Sequence, residues 1–106
     1  MKITVTARHV ELPDWVQELL KSKVEKLERF GHTLLQAHAI FGREKYLYTA
    51  ELTLSTKGAN LVGKAKHATD LLTCMEEALS KLERQLKRLQ EKRMGLARRR
   101  VTHRPA

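Results

Sequence analysis

The segment from Ser80 to Arg100, "SKLERQLKRLQEKRMGLARRR", contains the side chains best suited to a chemical task. Lysine and arginine recur in it at helical spacing, and only Glu83 and Glu91 oppose them. Such cationic side chains bind phosphate groups, whereas a merely solvated helix usually mixes both signs of charge, as segment 12–31 does. We therefore interpret the segment as a polyanion-binding surface, with these basic residues off its leucine positions: Lys81, Arg84, Lys87, Arg88, Lys92 and Arg93.

Patterns typical of catalysis are scarce. The five histidines do not have the HxxxH or HExxH spacing of a zinc site, and no P-loop, GxSxG or GxGxxG motif occurs. Cys74 is the single cysteine and is interpreted as a small buried hydrophobic residue. His38 and Glu51 are candidates for acid–base cleavage of RNA, and the alternative is that both are ordinary exposed strand residues. We predict that the protein is not an enzyme and has no catalytic residue, metal or cofactor.

The positive charge is concentrated near the C-terminus. Of a formal net charge of +9, residues 1–80 contribute 11 Lys or Arg against 10 Asp or Glu, and residues 81–106 contribute 10 against 2. This asymmetry indicates an acidic partner, either nucleic acid or an anionic membrane. A membrane is less favoured because the basic helix has no Trp or Phe. With no signal peptide and no span of about 18 apolar residues, we predict a cytoplasmic protein.

Hydrophobic periodicity predicts six elements. Alternation of apolar and polar residues predicts strands over 2–8, 34–41, 46–56 and 60–67. A first helix follows Pro13 and stops at Gly31. A second helix, capped by Thr69 or Asp70, runs to about Met94 and stops at Gly95. Its apolar seam consists of Leu72, Met75, Leu79, Leu82, Leu86 and Leu89.

The order βαβββα predicts an α+β fold. Each strand has one apolar face and there are two amphipathic helices, so both helices should cover one face of a four-stranded sheet in the order 1-2-3-4. We expect Trp15, Phe30 and Phe41 to lie in the core. Residues 1–94 should form one domain, and 95–106 a basic, disordered tail. Beyond Leu86 the seam extends past the sheet, so dimerisation through that end remains an alternative.

Several stretches resemble a known family. The βαβββα order, "KLERF" at the end of the first helix and "ATDLLTCMEEALSKLERQLKRLQEK" in the second are similar to the short ribosome hibernation-promoting factors, also called ribosome-associated inhibitors or ribosomal subunit interface proteins. The resemblance covers residues 1–94. It departs from the family at Leu72, where a Tyr is usual, and at Lys66 and His67, where many relatives are acidic or neutral.

The resemblance implies a fold similar to double-stranded RNA-binding domains and a place on the small ribosomal subunit, in the channel used by mRNA and tRNA. There the protein would block initiation and keep idle ribosomes inactive. We also predict a monomer off the ribosome, with no membrane or small-molecule partner. The residues implied to contact ribosomal RNA are Lys23, Lys26, Lys81, Arg84, Lys87, Arg88 and Lys92. The alternative is a standalone module that binds a structured RNA outside the ribosome.

Overall fold

Four strands and two helices follow one another in the predicted βαβββα order. The computed structural model describes residues 1–30, 33–67 and 70–101, the last ten by their backbone alone. The strands are β1 (Lys2–Arg8), β2 (Leu34–Glu44), β3 (Leu47–Thr56) and β4 (Ala59–His67). Helix α1 (Asp14–Glu25) continues into a 3₁₀ segment (Lys26–Phe30), and α2 spans Leu71–Val101. The α+β fold class is confirmed.

The sheet has the predicted strand order β1-β2-β3-β4. The helical crossover makes β1 parallel to β2, and short turns make the other two pairs antiparallel. The turn between β3 and β4 needs Gly58, whose φ of 105° lies in the region that side chains disfavour. Lys45, in the turn between β2 and β3, adopts a φ of 55° without being glycine.

One face of the sheet forms the core with both helices. In β3 the alternate residues Ala50, Leu52 and Leu54 are buried, as the period of two predicts. From the helices the core takes these residues, which repeat every three or four positions: Val16, Leu20, Val24, Met75, Leu79, Leu82 and Leu86. The other face of the sheet is polar and open.

Helix α2 lies almost in contact with the backbone of β4. A Cβ built on Gly63 would lie 2.4 Å from the carbonyl oxygen of Ala78 and 3.3 Å from Cγ of Leu82. At the exposed edge of β4, Lys81 donates to the carbonyl of Lys64, and Nε2 of Gln85 donates to that of Val62 at 2.8 Å. The helix thus satisfies carbonyls that an edge strand would otherwise present to another chain.

Asp70 caps α2, as one of the two predicted candidates. Its carboxylate accepts the backbone N–H of Thr73 at 2.6 Å and the Thr73 hydroxyl at 3.0 Å. The other candidate, Thr69, and the predicted helix stop, Gly31, lie outside the described residues.

Three predictions about individual residues are wrong. Helix α2 does not stop at Gly95 but continues to Val101; a helical glycine costs only about 1 kcal/mol, and the surrounding residues are good helix formers. Trp15 is 61% exposed rather than in the core. The buried stripe of α1 begins at the next residue, Val16, which lies about 100° further around the helix axis. Leu72, which its place in the apolar seam predicts to be buried, is only half-buried, whereas the next seam residue, Met75, is fully enclosed.

Candidate nucleic-acid interface

The basic stripe of α2 consists of Arg84, Lys87 and Arg88, and all three are exposed. They lie on a different side of the helix from Leu79, Leu82 and Leu86. Those three leucines form the buried seam that faces the sheet. None of the three forms an ion pair with any residue in the described part of the chain. Their charge is therefore available to an external anion.

The other two predicted residues of α2 differ from this stripe. Lys81 is half-buried, and its ammonium group donates to the carbonyl of Lys64 and lies 3.7 Å from Glu77 Oε1. It therefore stabilises the contact between α2 and β4, whatever else it binds. The side chain of Lys92 lies outside the described residues.

The two predicted residues of the first helical region line a cleft between the helices. Lys23 and Lys26 border this cleft of about 270 Å³, together with Ser80 and Glu83 from α2. Lys87 lies one turn beyond Glu83 on the same side of α2, because residues four apart share a helix face. The cleft therefore ends at Glu83, one turn before Lys87 of the stripe, and Glu76 and Glu83 supply carboxylates to its α2 side.

Arg29 also borders this cleft, and sequence reasoning did not select it. Its Nη2 donates to Glu83 Oε1 at 2.8 Å, and its guanidinium lies 5.1 Å from the Phe30 ring centre. Arg29 belongs to the "KLERF" stretch, but its contact with α2 depends on how the helices pack.

The open sheet face carries a second group of cations that the sequence analysis did not select. A shallow depression of about 360 Å³ is bordered by Arg8, Lys64 and Lys66, with the carboxylates of Glu44 and Glu51 at its margin. Alternation within each strand identifies these residues as outward-facing, but only the register brings them together.

The acid–base pair proposed for RNA cleavage is not assembled. His38 Nε2 lies 3.1 Å from the Thr6 hydroxyl. Glu51 Oε1 lies 3.6 Å from Lys64 Nζ, and its position pairs with Ile40 rather than with His38. The two side chains thus have separate partners, as expected of ordinary strand residues.

Cys74 and its surroundings have a structural role. The thiol donates to the carbonyls of Ala65 at 3.1 Å and Tyr48 at 3.4 Å, and burial raises its pKa. Nearby, His67 hydrogen-bonds Glu77 and holds the pKa of that carboxyl below its usual value. No group of three potential metal ligands occurs among residues 1–30, 33–67 and 70–101.

Comparison with known proteins decides the family. The model of the family described as Sigma 54 modulation protein / S30EA ribosomal protein matches residues 3–94. The chain belongs to this family. This S30EA-family chain is 27% identical over 96 residues to a ribosome hibernation promoting factor of Pseudomonas putida, covering 91% of the chain and 93% of the relative. It is 26% identical over 92 residues to the ribosome hibernation promoting factor of Escherichia coli K12. That match covers 87% of the chain and 96% of the relative.

Two solved structures share the S30EA-family fold. The N-terminal domain of Protein Y from Thermus thermophilus superimposes with a TM-score of 0.75 at 24% identity, over 84% of this chain and 99% of that one. A ribosomal subunit interface protein from Coxiella burnetii superimposes with a TM-score of 0.76 at 22% identity. The match covers 86% of this chain and 99% of that one. The resemblance drawn from the sequence is thereby confirmed. The likeness to double-stranded RNA-binding domains stays a prediction. Within the described residues, no helix is long and apolar enough to cross a membrane.

Proposed function

We propose that this protein binds the small ribosomal subunit, occupies the channel used by mRNA and tRNA, and keeps idle ribosomes inactive. Membership of the S30EA family supports a ribosomal role. So do relatives named ribosome hibernation promoting factor and a structural neighbour named ribosomal subunit interface protein.

The observation that carries the proposal is the basic stripe of α2, Arg84, Lys87 and Arg88, which forms no ion pair with the residues that the structure describes. Cations that only keep a helix soluble are usually interleaved with carboxylates. Here three cations outnumber the nearby carboxylates, Glu83 and Glu91, on a helix whose opposite face is anchored to the sheet. A rigid row of this kind can neutralise successive phosphates of a structured RNA and release their counterions.

Inhibition then follows from occupancy alone. A domain held in the channel by phosphate contacts excludes mRNA and tRNA by its volume, so no bond needs to be made or broken. Lys23 and Lys26 extend the contact along the cleft between the helices, and Lys81 and Lys92 belong to the same proposed set. The protein acts in this proposal as a cytoplasmic monomer before it binds, and it is not an enzyme.

The test compares wild type with the double variant Arg84→Glu, Arg88→Glu. Both proteins should unfold at the same temperature, because the two side chains lie off the buried seam. Wild type should sediment with small ribosomal subunits and inhibit translation in an extract, and the variant should do neither. Equal inhibition by both proteins would exclude this stripe as the binding surface. Normal translation with saturating wild type would exclude the hibernation role.

A competition experiment separates the ribosome from other RNA. Subunit binding at moderate salt should persist when naked duplex RNA is added in excess. If a modest excess of duplex removed the protein from the subunits, a standalone RNA-binding module would be the better description.

A further inference from the structure

A cationic depression lies on the open face of the sheet, opposite the helices. The strand register aligns Arg8 with Gly42, Gly42 with Thr49, and Thr49 with Lys66, so one row crosses all four strands. Gly42 contributes no side chain, and the Thr49 hydroxyl lies over it, 3.0 Å from the position a Cβ would take. We call this feature the sheet depression; it has a volume of about 360 Å³, and Lys64 borders it from the neighbouring row.

The sheet depression has a surplus of positive charge. The cations whose side chains face it are Arg8, Lys64 and Lys66, and its carboxylates are Glu44 and Glu51. The Arg43 guanidinium instead stacks on the Tyr48 ring, 5.1 Å from its centre. Lys66 Nζ lies 3.2 Å from Glu44, and Lys64 Nζ lies 3.6 Å from Glu51.

These contacts leave the cations accessible to a ligand. Both ion pairs are open to water, where such pairs contribute little to stability, so a phosphate can compete for the lysines. Arg8 forms no ion pair with another described residue, which leaves its guanidinium free for a bidentate contact.

We propose that the sheet depression is a second binding site for the phosphate backbone of RNA. The inference rests on the proposed ribosomal function and adds a face to it. The row spans three strand spacings, about 14 Å between the end Cα atoms, which suits an extended polyanion better than a single small anion. At its floor the hydroxyl of Thr49 is placed to donate to a phosphate oxygen between Arg8 and Lys66.

The position of this site means that the domain contacts RNA on two sides. Side chains on alternate strand positions point to opposite faces, so the row from Arg8 to Lys66 points away from α2. The backbone is only 18 Å across its thinnest dimension. A thin domain with a basic stripe on one side and a basic depression on the other fits a gap between two RNA segments.

The test neutralises two cations of the depression in the double variant Arg8→Gln, Lys66→Gln. The matched control is Lys2→Gln, Lys57→Gln, which removes the same charge from exposed positions at the other end of the sheet. Binding of each protein to purified small subunits, and separately to a short RNA duplex, is measured over a range of salt. Thermal melts check that both variants are folded.

For the depression variant we expect the log–log slope of affinity against salt to flatten by about 1.4 to 1.8, the value for two lost phosphate contacts. The control should flatten it by clearly less. Equal slopes for the two variants would overturn the sheet site. Loss of subunit binding with unchanged duplex binding would also overturn it, because the contact would then be to an acidic protein surface.

The two RNA targets keep this proposal separate from the ribosomal one. If wild type bound duplex but not subunits, the proposed function would fail. The salt dependence of duplex binding by the two variants would still show whether the sheet depression binds RNA. If wild type bound subunits and the depression variant behaved like the control, only the sheet site would fail. If wild type bound neither RNA, both proposals would fall.

Discussion

The α-carbon of Gly63 faces the carbonyl of Ala78 so closely that a Cβ there would come within 2.4 Å of the oxygen. The obstacle is helix backbone, which cannot rotate away as a side chain can. Gly63 therefore sets the distance between α2 and β4, and through it the position of the basic stripe relative to the sheet.

Gly63→Ala should destabilise the protein by about 1 to 3 kcal/mol, the usual cost of overpacking a core. The measurement is the free energy of unfolding in urea. Val62→Ala, on the open face of the same strand, is the control and should cost less. A Gly63→Ala protein as stable as wild type would mean that the helix can move outward without loss.

Leu79→Ala should cost about 2 to 5 kcal/mol, because the side chain is only 7% exposed and its loss leaves a cavity. Leu72→Ala is the matched comparison on the same helix and should cost less, since Leu72 is half-buried. Denaturant melts of the two variants decide the order. A loss below about 0.5 kcal/mol for Leu79→Ala would contradict the packing of the seam.

Glu77→Gln should lower stability near neutral pH. The hydrogen bond from His67 holds the pKa of Glu77 below its usual value, and Lys81 acts in the same direction. A carboxyl with a lower pKa in the folded state stabilises the fold above its unfolded pKa of about 4.3, and this contribution disappears as the pH falls through the folded pKa. Urea melts of wild type and variant should therefore differ at about pH 7, and the difference should shrink as the pH falls below about 4.3. A constant difference over that range would show that the variant acts through packing.

Deletion of residues 96–106 should leave the melting temperature nearly unchanged. Leu86 is the last fully buried side chain of α2 among those the structure describes, so the deleted segment lies beyond the core. Removal of four arginines should weaken binding to small subunits modestly and reduce its salt dependence. A fall of many degrees in melting temperature would instead show that this segment packs against the domain.

The elements of this fold and the α2 stripe could be read from local patterns. Alternation in β3 predicted its buried residues, and the spacing of Leu79, Leu82 and Leu86 predicted the face of α2 that meets the sheet. These patterns are reliable because the period of a strand or helix dictates which side chains share a face. Arg84 and Arg88 could be assigned to the outer surface for the same reason.

Residues at the margin of a buried face could not be assigned in this way. Trp15 lies next to the stripe of α1 and Leu72 next to that of α2, and periodicity does not state how wide each stripe is. The packing of neighbouring elements sets that width. The cap also needed the structure, since Thr69 and Asp70 were equally suitable in sequence.

What the sequence by itself determined is the order of elements, the faces they bury and the location of most of the net charge. Only the tertiary structure decided that Lys81 binds the edge of β4, that Arg29 reaches Glu83, and that Arg8 and Lys66 share one row across the sheet. The reason is that strand register and helix docking join segments far apart in the chain. Those pairings depend on how whole faces fit together, and no local period specifies them.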